Sequence, residues 1–228
     1  MAAAMAKLGE SWGRQSPRRR TLLAGSAVAA AALALQLPFH DRTLVPMDEG
    51  HLAAAAGWML DGKLLYRDIH TGIFPGIYLL TTGLFSIFGR DLLVTRWAAV
   101  AMNVTIVVCL WRIAARALRA HWALLAPALY LLLLAVAFPV LCMFNYSTLA
   151  VAFGLLALLC LLRHFENGAR LDGVLLGLFV AAATLTKQNF GALCFLALLA
   201  MLLWGRKRSA LAQQPLFGVL WPIAAAGL

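Results

Sequence analysis

At 228 residues the chain has the length of one ordinary soluble domain, yet 63% of it is hydrophobic, 12% is charged and its mean hydropathy is +0.86. Long apolar runs without an ionisable residue exclude a soluble globule and mark bilayer-spanning helices. The net charge of +10 does not point to nucleic acid, because most Lys and Arg fall in short clusters between apolar runs, where they orient helices against the cytoplasmic face.

Residues 1–20 form a basic, cytoplasmic N-terminus. The stretch "SPRRRTLLAGSAVAAAALALQLPFH" resembles a twin-arginine export signal. Further apolar spans follow it, so an uncleaved first anchor is expected instead. Apolar segments lie at 21–39, 73–89, 97–111, 122–144, 147–162, 173–186 and 189–204, with a partial one at 215–228. Several are short for roughly 30 Å of hydrocarbon and need flanking or snorkelling residues to cross it. Cys109, Cys142, Cys160 and Cys194 all fall inside these segments without metal-type spacing, as small core residues do.

Segment 73–89, with Pro75 and three glycines, either spans or lies along the interface. Charge bias arbitrates. If it does not cross, thirteen of the nineteen Lys and Arg are cytoplasmic; if it does, only eight are. The positive-inside rule selects the first arrangement. The expected fold is therefore all-α: a polytopic membrane protein of about six spans plus a partial seventh. A large first extracytoplasmic loop, 40–95, then bears juxtamembrane helices at 49–60 and 74–88. Six of the nine acids (Asp41, Asp48, Glu49, Asp61, Asp68 and Asp91) lie in this loop. The short connections "FNYS" and "TKQN" meet the same face, so the loop would roof a membrane cavity.

Within the loop, Pro46 and Asp48 precede a helix-forming stretch, so Asp48 reads as an N-cap that is also free to meet a substrate hydroxyl. Glu49 reads as a helper acid or a solvated first-turn neighbour. His51 lies one turn on, either a ligand or an ordinary surface or core imidazole. Lys187 stands between two apolar segments, a costly place unless it snorkels or pairs with an anion. "NVT" at 103–105 and "NYS" at 145–147 match glycosylation acceptors by chance, since both sit at or within the bilayer.

Several motifs occur in order: an acidic pair after the first span, the turn "LLYRD", "HTGIFPGIYLLTTGLFSIFG", a helix opening "FNYSTLAVAFG", and "AAATLTKQNFGAL". In that order, over about residues 18–208, they resemble the N-terminal half of C-type (GT-C) membrane glycosyltransferases. The resemblance is to the protein O-mannosyltransferase-like group, which includes bacterial lipid A aminoarabinose transferases. It implies an inverting transfer of a sugar from a polyprenyl-phosphate donor to a lipid, glycan or protein acceptor, on the outer face of a bacterial inner membrane. It assigns the catalytic carboxylate to Asp48, with Glu49 beside it. A carboxylate takes the proton of the attacking hydroxyl, and the leaving phosphate calls for cationic or divalent-metal stabilisation. His51, Arg67, Asp68, His70, Asn145, Tyr146 and Lys187 are the expected substrate- and phosphate-side residues. His70 and Thr71 stand where relatives often carry Lys-Pro, and Asn145 stands where they commonly carry an aspartate. Glu49 or Asp68 would then supply any second acid.

Relatives continue with further spans, so residues 209–228 are expected to begin one, with a C-terminal half or partner chain to follow. Two other readings stay open: a transporter-like subunit, or an inactive remnant. Transporters place ionisable groups near the midplane and show internal repeats. Here no repeat is visible, and the polar groups gather at one face.

Overall fold

The structure, a computed structural model, describes residues 17–42 and 46–205. The expected partial segment 215–228, the cluster Arg206–Lys207–Arg208 and most of the basic N-terminus lie outside the described residues. Eight α-helices are described: α1 (Pro17–Gln36), α2 (His51–Leu60), α3 (Gly76–Phe88), α4 (Leu92–Ala117), α5 (Leu125–Val136), α6 (Tyr146–Asn167), α7 (Arg170–Thr186) and α8 (Gln188–Gly205). Among the described residues there is no strand. The all-helical expectation holds, and both loop helices exist within two residues of their expected starts.

Three helices, α4, α6 and α8, are each long and apolar enough to cross a membrane alone; α1 from Leu22, α3 and the stretch Trp122–Val136 are apolar but shorter. The segment expected as one continuous span at 122–144 is broken. It holds a 3₁₀ turn at Trp122–Leu124, then α5, then a second 3₁₀ turn at Val140–Cys142. Proline explains both the tolerance and the break. Pro127 lies in the first turn of α5, where no intrahelical acceptor awaits its missing N–H, whereas Pro139, three residues beyond the last helical residue Val136, keeps the chain from continuing as a helix.

Other boundaries follow from local chemistry. Asp91 caps α4, its Oδ1 accepting from Leu93 N at 2.9 Å, and Asn145 caps α6 by accepting from Thr148 N at 2.9 Å. Gly168 closes α6 in the left-handed region at φ 65°, its N–H donating to His164 O. The α7–α8 hairpin packs backbone to backbone, since a Cβ on Gly191 would lie 2.3 Å from Thr184 Cα. Glycine is required there.

Ion pairs and polar contacts fix the relative directions of the helices. Arg116 of α4 bonds Glu166 of α6 at 2.8 Å, so these two helices run parallel and α7 returns antiparallel beside them. The starts of α4 and α6 and the end of α7 thus lie at one end of the bundle. Helix α3 begins against Leu185, where a Cβ on Gly76 would meet the carbonyl at 2.7 Å, and ends four residues before Leu92. Both ends of α3 therefore sit at that same end.

The core divides accordingly. One buried cluster joins α2, α3, α4 and α6 through Leu52, Ile77, Tyr78, Met102, Ile106 and Leu149. A second joins α6, α7 and α8 through Ala157, Leu161, Leu176 and Leu202. The outer faces stay apolar: Leu132 and Val136 of α5, and Leu193 and Trp204 of α8, are all more than half exposed. In a water-soluble protein such faces would be buried. Here they suit a lipid solvent.

Candidate functional site

Helical geometry begins before α2. Residues Pro46–Gly50 form one wide π-type turn, and Gly50 already has helical dihedrals (φ −64°, ψ −43°). No side chain caps α2. The N-cap expected of Asp48 is thus not observed: the turn that opens at Pro46 places Asp48 inside it rather than ahead of it. Its carboxylate stays exposed, close to the positive end of the helix dipole.

Glu49 points elsewhere. It is 2% exposed, so the solvated alternative is replaced by a buried one. Its Oε2 pairs with Arg96 Nη2 of α4, both side chains being 3% exposed or less. Arg96 Nη1 also donates to the backbone oxygen of Arg42 at 3.3 Å and of His40 at 3.5 Å. Arg96 was not among the residues expected at the site. Its signal was legible, since an arginine five residues into an apolar helix demands an anionic partner.

Between the acidic turn and the opening of α6 lies a cavity of about 270 Å³. Its polar border comprises Asp48, His51, Asn145, Tyr146, Ser147 and Thr148, and Leu52, Ile77, Tyr78 and Phe144 are among its apolar walls. Asp48 is the sole acid lining it among the described residues. The His51 ring meets Tyr78 edge-on at 6.2 Å, and Tyr78 Oη shares a 2.8 Å hydrogen bond with Thr71 Oγ1. Tyr78 and Ser147 were missed from sequence, the first because a buried tyrosine in an apolar helix looks like packing.

Asn145 has a structural task. Its Oδ1 accepts from both the backbone N–H and the hydroxyl of Thr148, at 2.9 and 3.2 Å. Lys187 arrives from the α7–α8 connection, its Nζ donating to Ser147 Oγ at 2.9 Å and lying 5.4 Å over the Tyr146 ring. Among the described residues no carboxylate pairs with it. An ammonium has three donors, so two remain for an anion.

The other candidates lie apart. Arg67 and Asp68 bond each other through two contacts of 2.9 and 2.8 Å on an exposed turn, and Leu64 N–H also donates to Asp68. The Arg67 guanidinium, helped by that N–H, holds the Asp68 carboxyl down at about 2. His70 is exposed, and none of the three borders the cavity. Among the described residues no group of three or more His, Cys, Asp or Glu could hold a metal ion. The cysteines are free, three of them buried, and Asn103 of the "NVT" match is wholly buried.

The sequence pattern of the family described as dolichyl-phosphate-mannose-protein mannosyltransferase matches residues 70–226. The chain belongs to this family. That agrees with the resemblance read from the motif order, and it makes the apolar helices those of a membrane glycosyltransferase family. The mannosyltransferase match takes in the α6 opening and Lys187, and begins downstream of the acidic turn. No curated protein and no solved structure matches the chain.

Proposed function

We propose that the protein transfers a sugar, with inversion, from a polyprenyl-phosphate donor to an acceptor hydroxyl at the extracytoplasmic face of a bacterial inner membrane. The observation that carries this reading is the convergence at one cavity of a lone carboxylate, Asp48, with the polar edge at Ser147, behind which Lys187 lies outside the lining and donates to the Ser147 hydroxyl. Asp48 and Lys187 come from segments about 140 residues apart. In the reaction the acceptor oxygen attacks the anomeric carbon while its bond to the phosphate oxygen breaks. Asp48 accepts the hydroxyl proton, and the oxocarbenium-like charge develops beside its carboxylate. Lys187 faces the departing phosphate with its remaining donors, where a charge-assisted bond strengthens as negative charge grows. His51 and Tyr146 border the sugar. The apolar walls suit a donor whose chain stays in lipid.

The orientation rests on the same bundle. The end opposite the cavity carries Arg112, Arg116, Arg163 and Arg170, as a cytoplasmic face should. Single cysteines at 63 and 91 are then labelled from outside and one at 119 from inside; the reverse pattern would invert the topology.

Reconstituted full-length protein supplied with a polyprenyl-phosphate sugar and a mixture of envelope acceptors tests the chemistry. The expected product carries the sugar in the configuration opposite to the donor's. Transfer from a nucleotide sugar instead, or retention of configuration, would overturn the reading.

A further inference from the structure

The buried Glu49–Arg96 pair is an unusual investment for a small helical module. Two charged side chains leave water almost completely, at a place where hydrophobic residues of similar size would pack at no electrostatic cost. Arg96 spends further donors on the backbone oxygens of residues 40 and 42, the segment that leads from α1 towards the acidic turn. One side chain of α4 therefore holds both the approach to the turn and the turn itself. Successive residues of a helical turn point in clearly different directions. With Glu49 drawn inward to Arg96, Asp48 is turned to the cavity, and it is exposed there while its neighbour is buried.

We propose that Glu49 and Arg96 are positioning residues: their ion pair sets the angular position of Asp48 at the cavity and takes no proton in the reaction. This rests on the reading of Asp48 as the catalytic carboxylate. Glu49 does not border the cavity, so it is not placed to meet a substrate hydroxyl. The pair fixes one turn against one helix, and Gln at 49 or Lys at 96 keeps the approximate shape while weakening the lock. A misplacement of about 1 Å at the reacting group lowers a rate about 100-fold without abolishing substrate binding.

The test uses the full-length protein in four forms: Asp48→Asn, Glu49→Gln, Arg96→Lys, and the double variant Glu49→Gln/Arg96→Met. Initial rates of sugar transfer are resolved into kcat and KM for the lipid donor. The expected result is a kcat lowered about 10- to 100-fold in Glu49→Gln and Arg96→Lys, with KM within about threefold. The double variant should be no slower than Glu49→Gln alone, since one lock cannot be lost twice. If the double variant does not accumulate, Arg96→Lys, which keeps the charge, decides alone. A normal kcat in Arg96→Lys, or losses in the double variant that multiply, overturns the positioning role. Both of those outcomes leave the role of Asp48 intact provided Asp48→Asn is inactive. Normal transfer by Asp48→Asn overturns the assignment of the catalytic carboxylate, and with it the positioning role.

Discussion

The two ends of the helix bundle use charge in opposite ways. At the end bearing Arg116 and Arg163, each ion pair keeps one partner about half in water: Glu166 is 50% exposed against Arg116, and Arg163 is 47% exposed against a buried Asp172. The Arg116–Glu166 pair, open to water, contributes about 0–1 kcal/mol. At the other end a charge pair is buried completely, a second cation meets no carboxylate among the described residues, and an acid faces a cavity. Charges kept out of water in this way cost stability and are found where position or chemistry requires them. The contrast teaches where to look for the reaction in a chain whose charges number few at either end.

Substitutions at the cavity end should therefore be felt in turnover, and those elsewhere in stability alone. Lys187→Met removes a charge-assisted contact worth about 1.5–3 kcal/mol, so kcat/KM for the lipid donor should fall about 10- to 100-fold. An unchanged value would show that Lys187 only snorkels. Asn103 joins three segments below the cavity. Its Nδ2 donates to Gln36 Oε1 at 3.0 Å and Leu141 O at 3.1 Å, while Tyr130 Oη donates to its Oδ1 at 2.8 Å. Asn103→Leu strands those partners, and a loss of about 2 kcal/mol or more is expected in unfolding of the detergent-solubilised protein. Equal stability would show the network to be dispensable.

The smallest effect belongs to the exposed turn. Asp68 is held below the ordinary carboxylate value near 4 by Arg67 and the Leu64 N–H. A depressed acid stabilises the fold above its unfolded value, and the contribution is lost as pH falls from about 4 through 2. Because the pair is exposed, salt should weaken it. Titration of the Asp68 carboxyl by NMR should show a midpoint near 2 that rises with added salt; a midpoint near 4 at low salt would contradict the pairing.

Much of the architecture was legible because it is written in local patterns. The loop helices, expected at 49–60 and 74–88 and observed at 51–60 and 76–88, stand out as short apolar runs between turn residues. What could not be read depends on contacts distant in sequence. Glu49 looked like any first-turn acid until Arg96, 47 positions on, was seen beside it. Asn145 looked like a substituted acid, whereas its amide oxygen caps α6, a task aspartate performs equally well. The interruption of 122–144 is not legible, because apolar character alone does not distinguish one long helix from a short helix followed by a proline turn. Lys187 stands out in the sequence as a cation between two apolar segments, but its bond to Ser147 needs the fold to show it.

Side-by-side transfer rates of Asp48→Asn and Glu166→Gln in the full-length protein test the central claim most directly. One variant removes a charge at the cavity and the other at the opposite end. The account predicts a fall of about 10²- to 10⁴-fold for Asp48→Asn, the usual worth of a proton-accepting group, and a change within about twofold for Glu166→Gln. Normal transfer by Asp48→Asn, or a comparable fall in Glu166→Gln, would contradict it.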